Sequence, residues 1–236
     1  MEAHCNRSEY KFTIAPAIVP ELYKTIRCYL APDRNLEDGY IVITEYFDSV
    51  EDILYWQKID GCTNRRRLRS RIYLDPCAQR EPSAFIEIKH KLNGLTVKRR
   101  ISTSLTEVAS FSKRSRIDVS KAEEVKTRDE INRMAEQYKL VPRVQMRYHR
   151  HAYDNGADGN LRITFDHEVR CRSSEMRELT ADDGDFETAI TSAGEMLMEV
   201  KTIGPVPFWF RKLCATLALT PTSFSKYTAA IAINRL

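Results

Sequence analysis

The chain has 236 residues, 42% of them hydrophobic, and carries a formal charge of +4. That length supports one well-buried core, and so small a net charge excludes a uniformly basic molecule, leaving any basicity that matters to local arrangement. No apolar run approaches the roughly 20 residues of a membrane span, no signal peptide opens the chain, and Cys5, Cys28, Cys62, Cys77, Cys171 and Cys214 lack metal-site spacing and read as reduced thiols of a cytoplasmic protein.

Arg7, Glu9, Lys11 and Thr13 alternate with Ser8, Tyr10, Phe12 and Ile14, a period of two that predicts a strand with ions on one face. Pro20 to Leu30 has helical spacing, with Pro20 suited to the first turn and Leu22, Ile26 and Tyr29 on one stripe. Residues 39–48 (GYIVITEYFD) are β-branched and aromatic and predict a second strand. A helix-like connection, EDILYWQKIDG, leads into a basic stretch. There Arg65, Arg67, Arg69, Arg71 and Tyr73 fall on one side of an extended run, with Leu68, Ile72 and Leu74 on the other. After the turn DPCAQREPS, Phe85, Glu87, Lys89 and Lys91 oppose Ile86, Ile88 and Leu92. Beyond Asn93-Gly94, a strong hairpin signal, Thr96, Lys98 and Arg100 alternate with Leu95, Val97 and Ile101. Like charges directly opposite one another destabilise a sheet. Aligning this many cations makes physical sense if a polyanion lies across them.

Residues 105–111 and 120–139 turn helical and strongly charged. A strand returns at 143–153, a turn follows at 154–160, and 161–172 alternates cleanly, with Arg162, Thr164, Asp166, Glu168, Arg170 and Arg172 against Leu161, Ile163, Phe165, Val169 and Cys171. Residues 175–193, with Asp182, Asp183 and Asp185, read as a mobile acidic loop within a single domain spanning 1–236. The last strand, 196–203, presents Glu199 and Lys201; an apolar helix at 205–219 and a short Ala/Ile-rich helix follow. About eight strands, nearly all with ions on one face, suit an α+β fold built on a closed antiparallel β-barrel with flanking helices. Its apolar face would lie beneath the helices and its charged face would be hydrated.

The segments RSEYKF (7–12), EYFD (45–48), RSRIY (69–73), FIEIK (85–89), VKRR (97–100), RITFD (162–166), MEVK (198–201) and FSKY (224–227) occur in the order found in one family. Together they make the chain resemble the VTC domain, the polyphosphate polymerase domain of the CYTH-like triphosphate tunnel metalloenzymes. The resemblance implies an eight-stranded tunnel barrel that binds triphosphate and polyphosphate, with Mn²⁺ or Mg²⁺. It makes Lys11, Arg69, Arg71, Lys89, Lys98, Arg150, Arg162 and Lys226 the catalytic, phosphate-contacting cations and Glu199 the metal ligand. Arg100, Lys91, Lys201, Glu9 and Glu87 join the substrate-binding set. Hydrolytic and cyclase members open with ExExK; here Arg7, Glu9 and Lys11 stand in those places, so one carboxylate has become a cation.

The reaction implied is transfer of the γ-phosphate of ATP to a growing polyphosphate chain. It needs alignment and charge stabilisation more than covalent work, and the anionic acceptor demands no general base. A hydrolase of tripolyphosphate or a nucleoside triphosphate is the alternative within the fold, and a non-catalytic polyphosphate-binding module the alternative outside enzymes. Nucleic acid is disfavoured as a partner because the basic strands interleave aliphatic rather than aromatic residues. Any membrane or regulatory partner would be a separate chain. Four readings stay close to plain structure. Arg65–Arg67 can be a solvated run. Glu9, Glu87, Asp166 and Glu168 can be salt-bridge partners holding the cations. His149 and His151 read as exposed strand residues. Arg150 alternates with Val144, Met146 and Tyr148, so its inward placement requires a bulge or is wrong.

Overall fold

The computed structural model describes residues 7–33, 36–74, 82–119, 121–155, 160–175, 177–181 and 184–235. Most of the turn expected at 75–83, the tip of the turn at 154–160, and Asp182 and Asp183 lie outside these residues, as does the side chain of Arg7. The chain divides into two compact units, one formed by residues 1–40, 148–169 and 191–225, the other by 41–147, 170–190 and 226–236.

In the first unit, β1 (Arg7–Ile14) pairs with β10 (Met196–Ile203), which pairs with β8 (Leu161–Ser173), beside β7 (Val141–Asp154). The β1–β10 and β10–β8 ladders are antiparallel. The register sets Phe12 against Met198 and Met198 against Phe165, so the apolar members of each alternation share one face. Helices α1 (Val19–Arg27) and α5 (Phe208–Thr216) cover that face with Leu22, Ile26, Phe210 and Leu213, enclosing Phe12, Ile14, Ile163, Phe165 and Val200. The two-residue strand β2 (Ala31–Pro32) pairs with the end of β7. Gly39 follows, with φ of +72°, and a Cβ there would stand 2.4 Å from the carbonyl oxygen of Arg150. Only glycine tolerates both that backbone region and that approach.

In the second unit, β7 is followed in order by β3 (Tyr40–Asp48), β4 (Asn64–Leu74), β5 (Ser83–Leu92) and β6 (Leu95–Thr103). Each consecutive pair from β3 to β6 is antiparallel. Leu68, Ile72, Ile86, Ile88 and Ile101 are buried against Val108 and Phe111 of α3 (Leu105–Arg114) and Ile131 and Met134 of α4 (Val125–Gln137). Ser104 caps α3 in a capping box with Glu107. Asp48 and Ser49 cap α2 (Ile53–Ile59): the Asp48 carboxylate accepts from the amides of Leu54 and Tyr55 at 2.8 and 2.9 Å, and Ser49 Oγ from Ile53 at 3.1 Å. Helix α6 (Lys226–Asn234) joins the same point, its Tyr227 hydroxyl donating to Asp48.

The antiparallel sheet with flanking helices expected from the sequence is what forms, and eight strands make its main path. One detail differs: among the described residues the path ends on β1 and β6 rather than returning on itself. The short strand β9 (Thr188–Ala189), like β2, carries too few residues to show a period. At Glu168 the φ of +51° marks a bulge, and the alternation read through 161–172 does not run unbroken. Beyond it, Arg172 donates to Gln145, which in turn donates to Glu45.

Candidate functional site

The ladders of the second unit place its cations side by side. Arg67 stands opposite Lys89, and Lys89 opposite Lys98; in the next row Arg65 stands opposite Lys91. Like charges directly opposed oppose pairing, so a bound anion would relieve rather than create strain here. The adjoining row reads Tyr46, Arg69, Glu87, Arg100, and the row beyond it Thr44, Arg71, Phe85. Glu87, 1% exposed, holds the cations in register: Arg69 at 2.7 Å, Lys98 at 3.0 Å and Arg71 at 3.9 Å. Arg71 also donates to Thr44 Oγ1 at 3.1 Å, and the guanidinium of Arg100 lies 4.3 Å from the Phe85 ring.

Burial alone would raise the Glu87 pKa, but the charges of Arg69, Arg71 and Lys98 outweigh it and hold the carboxyl well below its ordinary 4.5. A depressed carboxylate contributes stability that is complete above its unfolded pKa and is lost as pH falls through the folded one. The difference in Tm between the native chain and Glu87→Gln should therefore be full at pH 7. It should narrow only below about pH 4.5; a difference that does not vary with pH would contradict the ion triad. The same arginines act on Tyr46. Its burial pushes the phenol up, yet Arg69, Arg71 and Arg67 bring it down to about 8.

In the first unit the ion-bearing face pairs Lys11 with Glu199 and Glu9 with Lys201 across β1 and β10, and Glu199 with Thr164 across β8. Lys11 reaches Glu9 at 3.4 Å and the Phe224 carbonyl at 3.4 Å, and Lys201 bonds Glu199. Burial opposes the Glu199 charge, but Lys201, Lys11 and Arg150 keep it firmly ionised. Lys201 is shifted down, by burial first, with Glu199 acting to hold its proton. Arg150 needs no bulge. It shares its face with Tyr148, whose ring lies 5.2 Å from its guanidinium, and it grips Asp166 bidentately at 2.6 and 2.8 Å. Apolar Tyr148 belongs to the charged side, so the apolar partners in its alternation do not disqualify Arg150. Arg162 is held by Asp33 at 2.5 Å and Asp154 at 3.3 Å.

The sequence-derived residues thus fall into two sets. Arg69, Arg71, Lys89, Lys91, Lys98, Arg100 and Glu87 come together in the second unit, and Glu9, Lys11, Arg150, Arg162, Glu199 and Lys201 in the first. Lys226, half-buried, begins α6 of the second unit. Glu9, Glu87 and Asp166 are indeed ion partners of neighbouring cations. Arg67, read as part of a solvated run, is instead half-buried over the Tyr227 ring at 4.7 Å. Tyr46 and Tyr227, 5.1 Å apart, lie outside the site residues read from the sequence, where Tyr46 fits packing or a tunnel wall equally. Tyr46 was recoverable from its parity with Thr44, whereas nothing local to Tyr227 signals its partner Asp48.

A family model described as the VTC domain matches residues 6–234. The chain belongs to the VTC-domain family. Solved structures that this VTC domain resembles include a Pyrococcus horikoshii OT3 protein, at 13% identity and TM-score 0.50, with 98% of this chain and 99% of that one covered. A candidate adenylate cyclase from Bacillus halodurans aligns at 13% identity and TM-score 0.52, covering 92% of each chain. A candidate adenylyl cyclase from Hippeastrum, described as having a dominant triphosphatase activity, aligns at 14% identity and TM-score 0.52, covering 97% and 96%. At such identities the likeness establishes the fold alone, an antiparallel sheet with flanking helices shared with these proteins. No curated protein sequence matches the chain. Among the described residues, no helix is long and apolar enough to cross a membrane.

Proposed function

We propose that this VTC domain is an ATP-dependent polyphosphate polymerase that transfers the γ-phosphate of ATP to the end of an inorganic polyphosphate chain. The observation carrying this reading is the Arg67–Lys89–Lys98 row, with Arg65–Lys91 beside it, where ladder pairing sets cations against cations. Arg69 and Arg71 supply planar forks suited to two phosphate oxygens each, and Lys89, Lys91, Lys98 and Lys226 supply point charges. Arg100, exposed, ends the adjoining row of Arg69 and Glu87. Glu87 serves substrate binding by orienting Arg69, Arg71 and Lys98.

In the first unit Lys11 and Lys201 flank Glu199, giving phosphate oxygens cationic partners beside an ionised carboxylate. Arg150 and Arg162, each held by aspartate, shape the field there. The donor set fits a divalent ion of the Mn²⁺ or Mg²⁺ class: Glu199 is the ligand, Glu9 lies two positions along the neighbouring ladder, and no cluster of three acidic groups occurs among the described residues. Hard ions of this kind bind through one or two carboxylates and take their remaining oxygens from phosphate and water. Such an ion, when bound, neutralises and orients the transferred phosphoryl group. The acceptor phosphate is already anionic, so its attack forms the new P–O–P bond and releases ADP without a base.

Tripolyphosphate should raise the Tm of the native chain, because a ligand bound to the folded state stabilises it by mass action. Lys89→Ala, a half-buried position on the ionic face, should fold normally and lose most of that rise. Arg71 is less suitable for this test, being 6% exposed and bonded to Glu87, so its truncation would disturb the fold as well. An undiminished ligand-induced rise in Lys89→Ala would remove the basic row from the binding site.

A further inference from the structure

His149 and His151 lie two residues apart on β7, and His167 lies on the adjacent strand β8. Alternation along a strand puts them on the side away from Arg150 and Asp166. One ligand atom from each imidazole lies within 4.8 Å of the other two. The ring centroids are 4.6, 5.0 and 5.2 Å apart, with His151 and His167 stacked at 14°. All three rings are half-buried, so none is a freely solvated surface side chain.

We propose that His149, His151 and His167 form a binding site for a late first-row divalent cation, zinc in particular, on the face of β7 and β8 opposite the phosphate-binding ions. Three imidazoles with no carboxylate among them suit zinc, cobalt, nickel or copper and disfavour magnesium and manganese, which take oxygen ligands. A tetrahedral zinc ion with Zn–N distances of about 2.0–2.1 Å holds its nitrogens roughly 3.3 Å apart. The rings need close by only about an ångström and a half, within reach of modest side-chain rotation.

The surroundings are built for orientation. The Tyr23 hydroxyl lies 3.2 Å from Nδ1 of His151 and 3.9 Å from the Met196 sulfur. A partner on one ring nitrogen that leaves the other for the metal is the usual outer shell of a histidine ligand. The Tyr23 ring also packs edge-on against His151, with centroids 5.8 Å apart. On the other side Gly39 allows close approach, since a Cβ there would come 2.8 Å from His151 Cδ2. Three protein ligands leave a fourth position for water or a small anion. A bound ion would also tie β7 to β8, the strands carrying Arg150, Arg162 and Asp166.

The experiment uses the full chain stripped with chelator and titrated calorimetrically with ZnCl₂ and, in parallel, MgCl₂. The native chain should bind about one Zn²⁺, gain Tm on binding it, and show no comparable response to Mg²⁺. His149→Ala and His167→Ala, each confirmed as folded by metal-free thermal unfolding, should lose at least about tenfold in zinc affinity together with the Tm gain. Cobalt substitution of the native chain gives a readout that needs no variant. Visible bands of tetrahedral Co²⁺ without an intense thiolate-to-cobalt band support the histidine site. A thiolate band would assign the metal to the exposed Cys28 or Cys62 and overturn it. Absence of stoichiometric zinc binding, or affinity unchanged in both histidine variants, would overturn it equally.

Discussion

Glu199→Gln is expected to retain polyphosphate binding and lose turnover by about a hundredfold or more. The substitution keeps size and an acceptor oxygen for Lys201 but removes the charge that a divalent ion requires. Lys11 and Lys201 stay in place beside it, and deleting a carboxylate makes their face more positive. Affinity should therefore persist or rise while chemistry fails, a separation that few structural defects produce. Calorimetry with polyphosphate and product formation from ATP with Mn²⁺, on one preparation, measure both quantities. Near-native turnover would remove Glu199 from the metal site. Loss of binding together with turnover would make it a structural partner of the neighbouring lysines.

The second large effect concerns stability. Arg150, 9% exposed, is bonded through two nitrogens to Asp166, which is fully buried. Asp166→Ala leaves a buried guanidinium without its counter-ion and should cost about 3–5 kcal/mol of unfolding free energy. The added substitution Arg150→Met removes the stranded charge and fills similar volume, so the double variant should recover much of the loss. Urea unfolding of the two variants and the native chain gives the coupling directly. If Asp166→Ala costs under about 1 kcal/mol, or if Arg150→Met makes matters worse, the pair is not the buried, mutually dependent unit that its geometry indicates.

Period-two runs made β4, β5 and β6 legible in the sequence, because a slip of one residue would turn every aliphatic side chain to the wrong face. Once the hairpin at Asn93-Gly94 fixed the β5–β6 register, Lys89 and Lys98 had to meet. The helical pattern read from residue 105 matched the start of α3, whose end at Arg114 lies three residues beyond the expected 111. Arg150 was harder, since its alternating neighbours are apolar, and an apolar neighbour such as Tyr148 can line a charged face. The bulge at Glu168 depends on backbone conformation at a residue with no local signal for it.

Long-range pairing hid the rest. Asp33 is 129 residues from Arg162, and Tyr227 is 179 residues from Asp48, so no local spacing could join them. The histidines were visible singly, but their grouping required knowing that β7 and β8 are neighbours. What the sequence conveyed was face and charge; what it withheld was which charges are already paired inside the fold. Lys98, for one, stands opposite Lys89 in the ladder yet is already ion-paired with Glu87, as Arg150 and Arg162 are already clasped by aspartate.

Polymerisation itself is tested most directly by incubating the purified chain with ATP, Mn²⁺ and a short polyphosphate primer, then resolving the products by gel and by ADP release. Primer chains that lengthen with time, one phosphate gained for each ADP formed, are the expected result. Release of ADP and free phosphate without chain growth would make the protein a triphosphate hydrolase, and binding without any turnover would make it a polyphosphate-binding module; either outcome contradicts the polymerase.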